Sequence, residues 1–300
     1  MAGVDGFQLR ALTAADTDAV VALGTAQGWR NRRLFYDLVL RTPSCQALAG
    51  CIDGRVVATG VATASVPVGW LGGIIVDAEF RGRGLGRLVT EELCRLLRAA
   101  GCTTLSLEAT DQGRPMYERM GFRLTTHYHQ LQADQLDDEP AVHDGAHVRP
   151  ARPADLPAVF ELDRLATAED RSAPLGVLAG GGSAGSGAGP ASGGAASGSA
   201  GWVMERGGAI CGFLFPSERA YGAIVAPRFE DGIFLLDWHR HVVPAGSHVR
   251  AGIPDEHAAA WRALQERGWA ETWQAPRLLL GPDVPWRPAW IWGQINSAMG

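Results

Sequence analysis

Residues 77–89, DAEFRGRGLGRLV, set glycines at 82, 84 and 86 among arginines at 81, 83 and 87. Just before them, WLGGIIV (70–76) is a short apolar run with β-branched residues, the pattern of a buried strand. Just after, Leu85, Leu88, Val89, Leu93, Leu96 and Leu97 recur at helical spacing, with Glu91, Glu92, Arg95 and Arg98 facing away, and the pattern stops at Gly101. The glycine stretch is therefore predicted to turn a buried strand into the first turn of an amphipathic helix. Such a turn presents backbone N–H groups that lack intrahelical partners, at the positive end of the helix dipole. An anion is expected there. Glycine at 82, 84 and 86 permits positive φ and a close approach by a phosphate, and the three arginines add charge at the same mouth.

Spacing separates the phosphate-binding loops that fit this setting. A dinucleotide G-x-G-x-x-G requires glycine at Arg87 or Val89, and a P-loop requires a Gly-Lys-Ser/Thr that is absent. What remains is Arg81-x-x-Gly84-x-Gly86 after a strand ending in Val76-Asp77. In this the chain resembles the GNAT superfamily of acyl-CoA-dependent N-acyltransferases, whose motif is Gln/Arg-x-x-Gly-x-Gly/Ala between strand and helix. The resemblance implies that Arg81, Gly82, Arg83, Gly84, Leu85 and Gly86 hold the coenzyme pyrophosphate. It also implies that Ile74, Ile75 and Val76 pair with the pantetheine arm, with acetyl-CoA as co-substrate and no metal.

The segment TDQGRPMYERMGF (110–122) strengthens the likeness, because Tyr117 stands four residues before Gly121-Phe122, as in the superfamily's x-Tyr-x-x-x-Gly-Phe helix. Thr110 replaces the asparagine that usually opens it. By resemblance, Tyr117 lies near the coenzyme sulfur and protonates the leaving thiolate, and a phenol with pKa ~10 has the proton to give. Packing of the Tyr117 ring beside Met116 and Met120 is the competing reading. Direct transfer to an amine also needs a base and an oxyanion donor. Glu108 and Asp111 are the candidate bases, with a water chain as the alternative, and strand amides near Ile75 and Val76 are the candidate donors. No cysteine, serine or histidine constellation points to a covalent route.

Elsewhere the first half alternates helix and strand. LTAADTDAVVALG opens a helix through the Thr13/Asp16 cap pair, and a second helix holds Leu34, Phe35 and Leu38. Asp53-Gly54 is the dipeptide of a type I′ hairpin. TTLSLEA and FRLTTHYHQLQ read as further strands.

The chain then restarts. LRALTAADTDAVVAL (9–23) and VRPARPADLPAVFEL (148–162) align without gaps, Arg10 with Arg149, Asp16 with Asp155 and Val20 with Val159. GWVMERGGAICGFLFP repeats the hairpin, GAIVAP the strand before the loop, and PDEHAAAWRALQERGW the helix before Gly121-Phe122. The copy lacks the Arg-x-x-Gly-x-Gly motif and carries Leu264 in place of Tyr117. The fold class expected is α/β, with a mixed sheet in each of two domains. These are a catalytic domain over 1–132, an acidic linker over 133–147, and a degenerate GNAT-like domain over 148–300. A Gly/Ala/Ser insertion at about 180–201 is expected to be disordered. Trp286, Trp290 and Trp292 crowd the tail and are expected to cover a domain junction or cradle a cationic amine.

Composition bounds the function. A net charge of −5 over 300 residues, with 27 cationic side chains that are all arginine, gives no basic footprint for nucleic acid or a membrane surface. No leader or long apolar stretch is visible, so a cytoplasmic protein is expected. The five cysteines lack metal-ligand spacing and read as free thiols. The expected function is N-acetyl transfer from acetyl-CoA to a small-molecule or peptide primary amine. A coenzyme-binding sensor or scaffold without turnover stays open at this stage.

Overall fold

The structure is a computed structural model that describes residues 6–29, 32–141, 144–180, 201–217 and 221–300. The core of the Gly/Ala/Ser insertion, 181–200, lies outside the described residues, and with it the expectation of disorder there. The strands are β1 (Gln8–Ala11), β2 (Cys45–Ile52), β3 (Arg55–Ser65), β4 (Val68–Val76), β5 (Thr104–Glu108), β6 (Arg123–Asp134), β7 (Ala146–Pro150), β8 (Trp202–Arg206), β9 (Ala209–Ser217), β10 (Tyr221–Val225), β11 (His248–Pro254), β12 (Ala270–Leu280) and β13 (Ile291–Gly293). The helices are α1 (Thr17–Ala26), α2 (Arg33–Arg41), α3 (Leu85–Ala99), α4 (Arg114–Arg119), α5 (Leu156–Thr167), α6 (Ser172–Ala179), α7 (Phe229–Val242) and α8 (Ala258–Glu266). The order from β1 to β6 recurs from β7 to β12, as the sequence repeat predicts.

Two compact units result. The first comprises Met1–Leu124 together with Leu278–Asp283 and Ser297–Met299; the second comprises Thr125–Arg277, Val284–Asn296 and Gly300. The division falls inside β6, ahead of the acidic stretch 133–147, and each unit includes residues from the other half of the sequence. In the first unit, β1 to β5 run in spatial order and Leu278–Leu280 of β12 lie beside β5. There Thr104 Oγ1 donates to the Pro282 carbonyl at 2.7 Å. In the second unit, β6 pairs antiparallel with β11, and β13-β10-β9-β8-β7 form a further sheet.

Local chemistry explains the turns. Asp53 (φ 49°) and Gly54 (φ 78°) both occupy the left-handed region, the signature of a type I′ turn, and Gly207 (φ 59°) and Gly208 (φ 79°) repeat it between β8 and β9. The apolar face of α3 puts Val89, Leu93 and Leu97 against Leu71, Leu105 and Leu107, all at most 2% exposed. Burial at that level stabilises by roughly 1.5–3 kcal/mol per large side chain.

The repeat extends to one ion pair. Arg10 grips Asp16 through two bonds of 2.7 and 2.6 Å, and Thr13 N donates to the same carboxylate at 2.9 Å. Arg149 grips Asp155 at 2.7 and 2.9 Å, with Arg152 N donating at 2.7 Å. In both, hydrogen bonds from the arginine hold the carboxyl below the usual carboxylate range. A depressed folded-state pKa contributes stability above the unfolded value of ~3.9, and that stability is lost as pH falls through the folded pKa. Asp155→Asn is expected to lower stability at neutral pH by about 1–2 kcal/mol, since charged hydrogen bonds are lost and partial exposure screens the rest. Thermal melts against pH check this: the gap between variant and parent should close in strong acid.

Candidate active site

The strand ladder opens where the site begins. β4 and β5 pair in parallel from Val68↔Thr104 to Leu71↔Leu107, and beyond that point the remaining residues of β4 keep a ladder with β3 alone. On the β3 side the register shifts, from Thr59↔Ile75 to Val61↔Gly72, so Gly73 and Ile74 form a bulge opposite Gly60. Gly73 takes φ 59° at this bulge, a conformation glycine adopts without strain. Ile74, Ile75 and Val76 therefore reach the cleft with main-chain groups that β5 does not engage.

The glycine stretch does what its sequence implies at two of three positions. Gly82 (φ 73°) and Gly84 (φ 83°) are left-handed, and a Cβ on either would meet nothing within 4 Å. Backbone conformation, and not crowding, calls for glycine there. Gly86 differs, because it lies in the first turn of α3 without positive φ, and a Cβ would sit 3.6 Å from both Met116 Sδ and Val76 Cγ2. A small side chain is therefore accommodated there, as the Gly/Ala alternative of the motif allows. The first α3 bond runs from Leu88 N to Gly84 O at 3.1 Å, so the N–H groups of Leu85, Gly86 and Arg87 precede the helical ladder.

The arginines divide in role. Arg81 folds back, Nε donating to Val76 O at 3.2 Å and the guanidinium to Gln27 Oε1, which ties the end of β4 to the residue that ends α1. Arg83 donates to the Glu79 carbonyl at 3.2 Å and covers the ring of Phe80, which lines the cleft where Arg83 itself does not. Arg87 lines the cleft and pairs with Glu91 at 2.7 Å. Asp77 and Glu79 both bind Arg55, at 2.5 and 3.0 Å, and Asp77 also accepts from Glu79 N, so they build the turn.

These elements enclose a cleft of about 700 Å³. Its lining includes Ile74, Ile75, Val76, Arg81, Gly82, Gly84, Leu85, Gly86, Thr110 and Tyr117, which brings together most of the residues named from sequence. Thr110 also caps α4, accepting Gly113 N on its hydroxyl at 3.2 Å and Arg114 N on its carbonyl at 2.9 Å. Tyr117 is 8% exposed, edge-on to Phe122, with its ring close under Gly113. Burial pushes its phenol up to about 12. The ring thus packs in the core, as the competing reading has it, and also lines the cleft.

Glu108 and Asp111 are not in the lining. Glu108 is the last residue of β5 and half-buried, whereas Asp111 is exposed in the turn before α4. Gln27 and Trp29 do line the cleft and carry no sequence signal, since they come from beyond the end of α1, far along the chain from the loop.

The second unit builds the same corner differently. After β10 the chain runs Ala226-Pro227-Arg228 into α7, with Glu230 and Asp231 in its first turn. Asp231 is fully buried and gripped by Arg206 at 3.0 and 2.7 Å. Leu264, at the Tyr117 position, is fully buried. The three tail tryptophans separate: Trp292 packs against Phe229 and His257, Trp286 against Tyr128 and Arg277, and Trp290 under Arg287.

Comparison with known proteins finds a family match and several relatives. Residues 12–122 match the Acetyltransferase (GNAT) family. The glucosamine 6-phosphate N-acetyltransferase of Trypanosoma brucei brucei is 36% identical over 67 residues, 22% of this chain and 44% of that protein. The N-acetyltransferase YitH of Bacillus subtilis (strain 168) is 24% identical over 243 residues, 77% of this chain and 76% of that protein. The match with the trypanosome enzyme thus spans less than half of that relative's length. Among solved structures, a Pyrococcus horikoshii protein assigned to the acetyltransferases superposes with a TM-score of 0.78 at 17% identity, covering 100% of this chain and 98% of that one. A tandem GNAT protein from the clavulanic acid biosynthesis pathway gives 0.60 at 17% identity, covering 92% and 99%. At these identities the solved structures establish a shared fold.

Proposed function

We propose that this chain, whose residues 12–122 are an acetyltransferase domain of the GNAT family, transfers an acetyl group from acetyl-CoA directly to a primary amine. One observation carries the proposal: the freed edge of β4, the left-handed glycine turn, the first turn of α3 and the Tyr117 phenol all line a single cleft. The loop amides of Gly82 to Gly86, with the α3 dipole behind them, bind the diphosphate of the co-substrate. The edge of Ile74–Val76 that β5 leaves unpaired, apart from the Val76 carbonyl taken by Arg81, holds the pantetheine arm as an added strand would be held. An amide at the Gly73-Ile74 bulge, released from the β3 ladder, donates to the carbonyl oxygen as negative charge develops there.

Tyr117 donates its proton toward the departing sulfur. Its raised pKa keeps the phenol protonated at every working pH. In this reading the proton of the attacking amine leaves through water, since neither Glu108 nor Asp111 lines the cleft. The second unit, without the glycine motif or a tyrosine at position 264, contributes no second reaction centre.

A primary amine on a phosphorylated sugar is the acceptor class to try first, because the trypanosome relative is named for glucosamine 6-phosphate. The test measures free thiol released from acetyl-CoA across glucosamine 6-phosphate, amino acids, polyamines, aminoglycosides and peptide amines. Acceptor-dependent thiol supports the transferase. Coenzyme binding with no thiol from any amine would favour the sensor instead.

A further inference from the structure

The second unit repeats the order strand, helix, strand that makes the cleft of the first, as β10, α7 and β11. In the first unit the crevice beside β4 is open. In the second it is filled. β13 pairs antiparallel with β10, Ile224 facing Gly293 and Val225 facing Ile291, and β11 flanks its other side. Ala226 N donates to the Trp290 carbonyl at 3.0 Å, and the Trp292 indole N–H donates to the Ala226 carbonyl at 3.2 Å.

The fit is built for this occupant. A Cβ on Gly232, in the first turn of α7, would overlap the Trp292 indole, and one on Gly293 would overlap the Gly222 carbonyl of β10. Bare backbone lets the tail lie flat against the strand and lets the indole sit on the helix. Trp292 is fully buried, with Phe229 at 5.3 Å and His257 at 4.5 Å between ring centres. His257 also contacts the Ile291 carbonyl through Nδ1 at 3.3 Å. Where the first unit offers open amides at a helix start, the second has its own buried carboxylate in the first turn, Asp231 held by Arg206.

From this geometry we infer that the crevice between β10 and β11 is a peptide-binding groove, not a coenzyme groove, and that its ligand is the chain's own segment 290–293, anchored by Trp292. It takes an extended strand with one aromatic side chain, by the same backbone pairing that adds a peptide strand to a sheet edge. Part of the inference rests on the transferase reading, since it fixes the coenzyme count at one per chain.

Two measurements on the intact chain test it. Calorimetric titration with acetyl-CoA should give one site per chain. Hydrogen exchange should show the amides of Ala226 and Ile291–Gly293 slowed by about a hundredfold or more against unstructured chain, and unchanged at saturating acetyl-CoA. Trp292→Ala should speed exchange at 291–293 while the single coenzyme site persists. Two sites per chain, or loss of protection at 291–293 when coenzyme is added, would overturn the inference. Failure of the transferase reading looks different: no coenzyme binds at all, while the amides of 291–293 stay protected.

Discussion

Gly84→Val is expected to weaken acetyl-CoA binding by about a hundredfold, or roughly 2.7 kcal/mol, with the protein still folded. The cause is conformational. Gly84 sits at φ 83° immediately before α3, where a β-branched residue is strained by roughly 1–3 kcal/mol, although a Cβ there meets no atom within 4 Å. The exposed turn relieves that strain by changing its backbone path, and the amides that converge on the diphosphate then point elsewhere. Gly86→Ala is the matched control. Its backbone is already helical and its new methyl would make ordinary contacts at 3.6 Å, so thermal stability should hold or rise. Binding should stay near the parental value, because the motif accepts alanine at this position and the methyl makes only ordinary contacts. Calorimetric titration alongside thermal melts separates the two variants. Parental affinity in Gly84→Val would remove the loop from the site.

Tyr117→Phe is expected to lower kcat by about a hundredfold and to leave KM for acetyl-CoA nearly unchanged, the loss typical of removing one positioned proton donor. The ring is conserved, so its packing with Phe122 at 6.0 Å and beneath Gly113 survives and the fold is unaffected. The pH profile adds a second readout. In the proposed mechanism transfer requires the protonated phenol, and burial raises its pKa to about 12. Rising pH therefore removes this donor only near that value, and kcat/KM should show no descending limb from Tyr117 in the ordinary alkaline range. An alkaline limb between pH 8 and 9 that vanished in Tyr117→Phe would contradict the assigned environment, and an unchanged kcat would contradict the role.

What could be read from the sequence was chemistry that acts over a few residues. Positive φ demands glycine, so Gly82 and Gly84 announced the turn, and Asp53-Gly54 announced a hairpin whose two residues are both left-handed. The Thr13/Asp16 cap was equally local, and its repetition at Asp155 exposed the duplication. The illegible parts depend on neighbours distant in the chain. Gln27 and Trp29 reach the cleft only because α1 ends there, and Arg81 turns back to Gln27 where the sequence reading aimed it at a phosphate. Nothing in FRLTTHYHQLQ reveals that β6 pairs with β11, since alternating polar and apolar residues suit any neighbouring strand. The three tail tryptophans looked like one cluster because they are close in sequence. A strand of three residues has too little pattern to reveal β13.

The borrowed closing strands carry a consequence for how the molecule can be divided. Leu278–Asp283 belong to the first unit and Thr125–Asp134 to the second, so a scission anywhere in 135–147 yields fragments that each lack an edge they need and keep one they cannot use. A polypeptide stopped before Leu278 would lack the residues that lie beside β5 and complete the first unit.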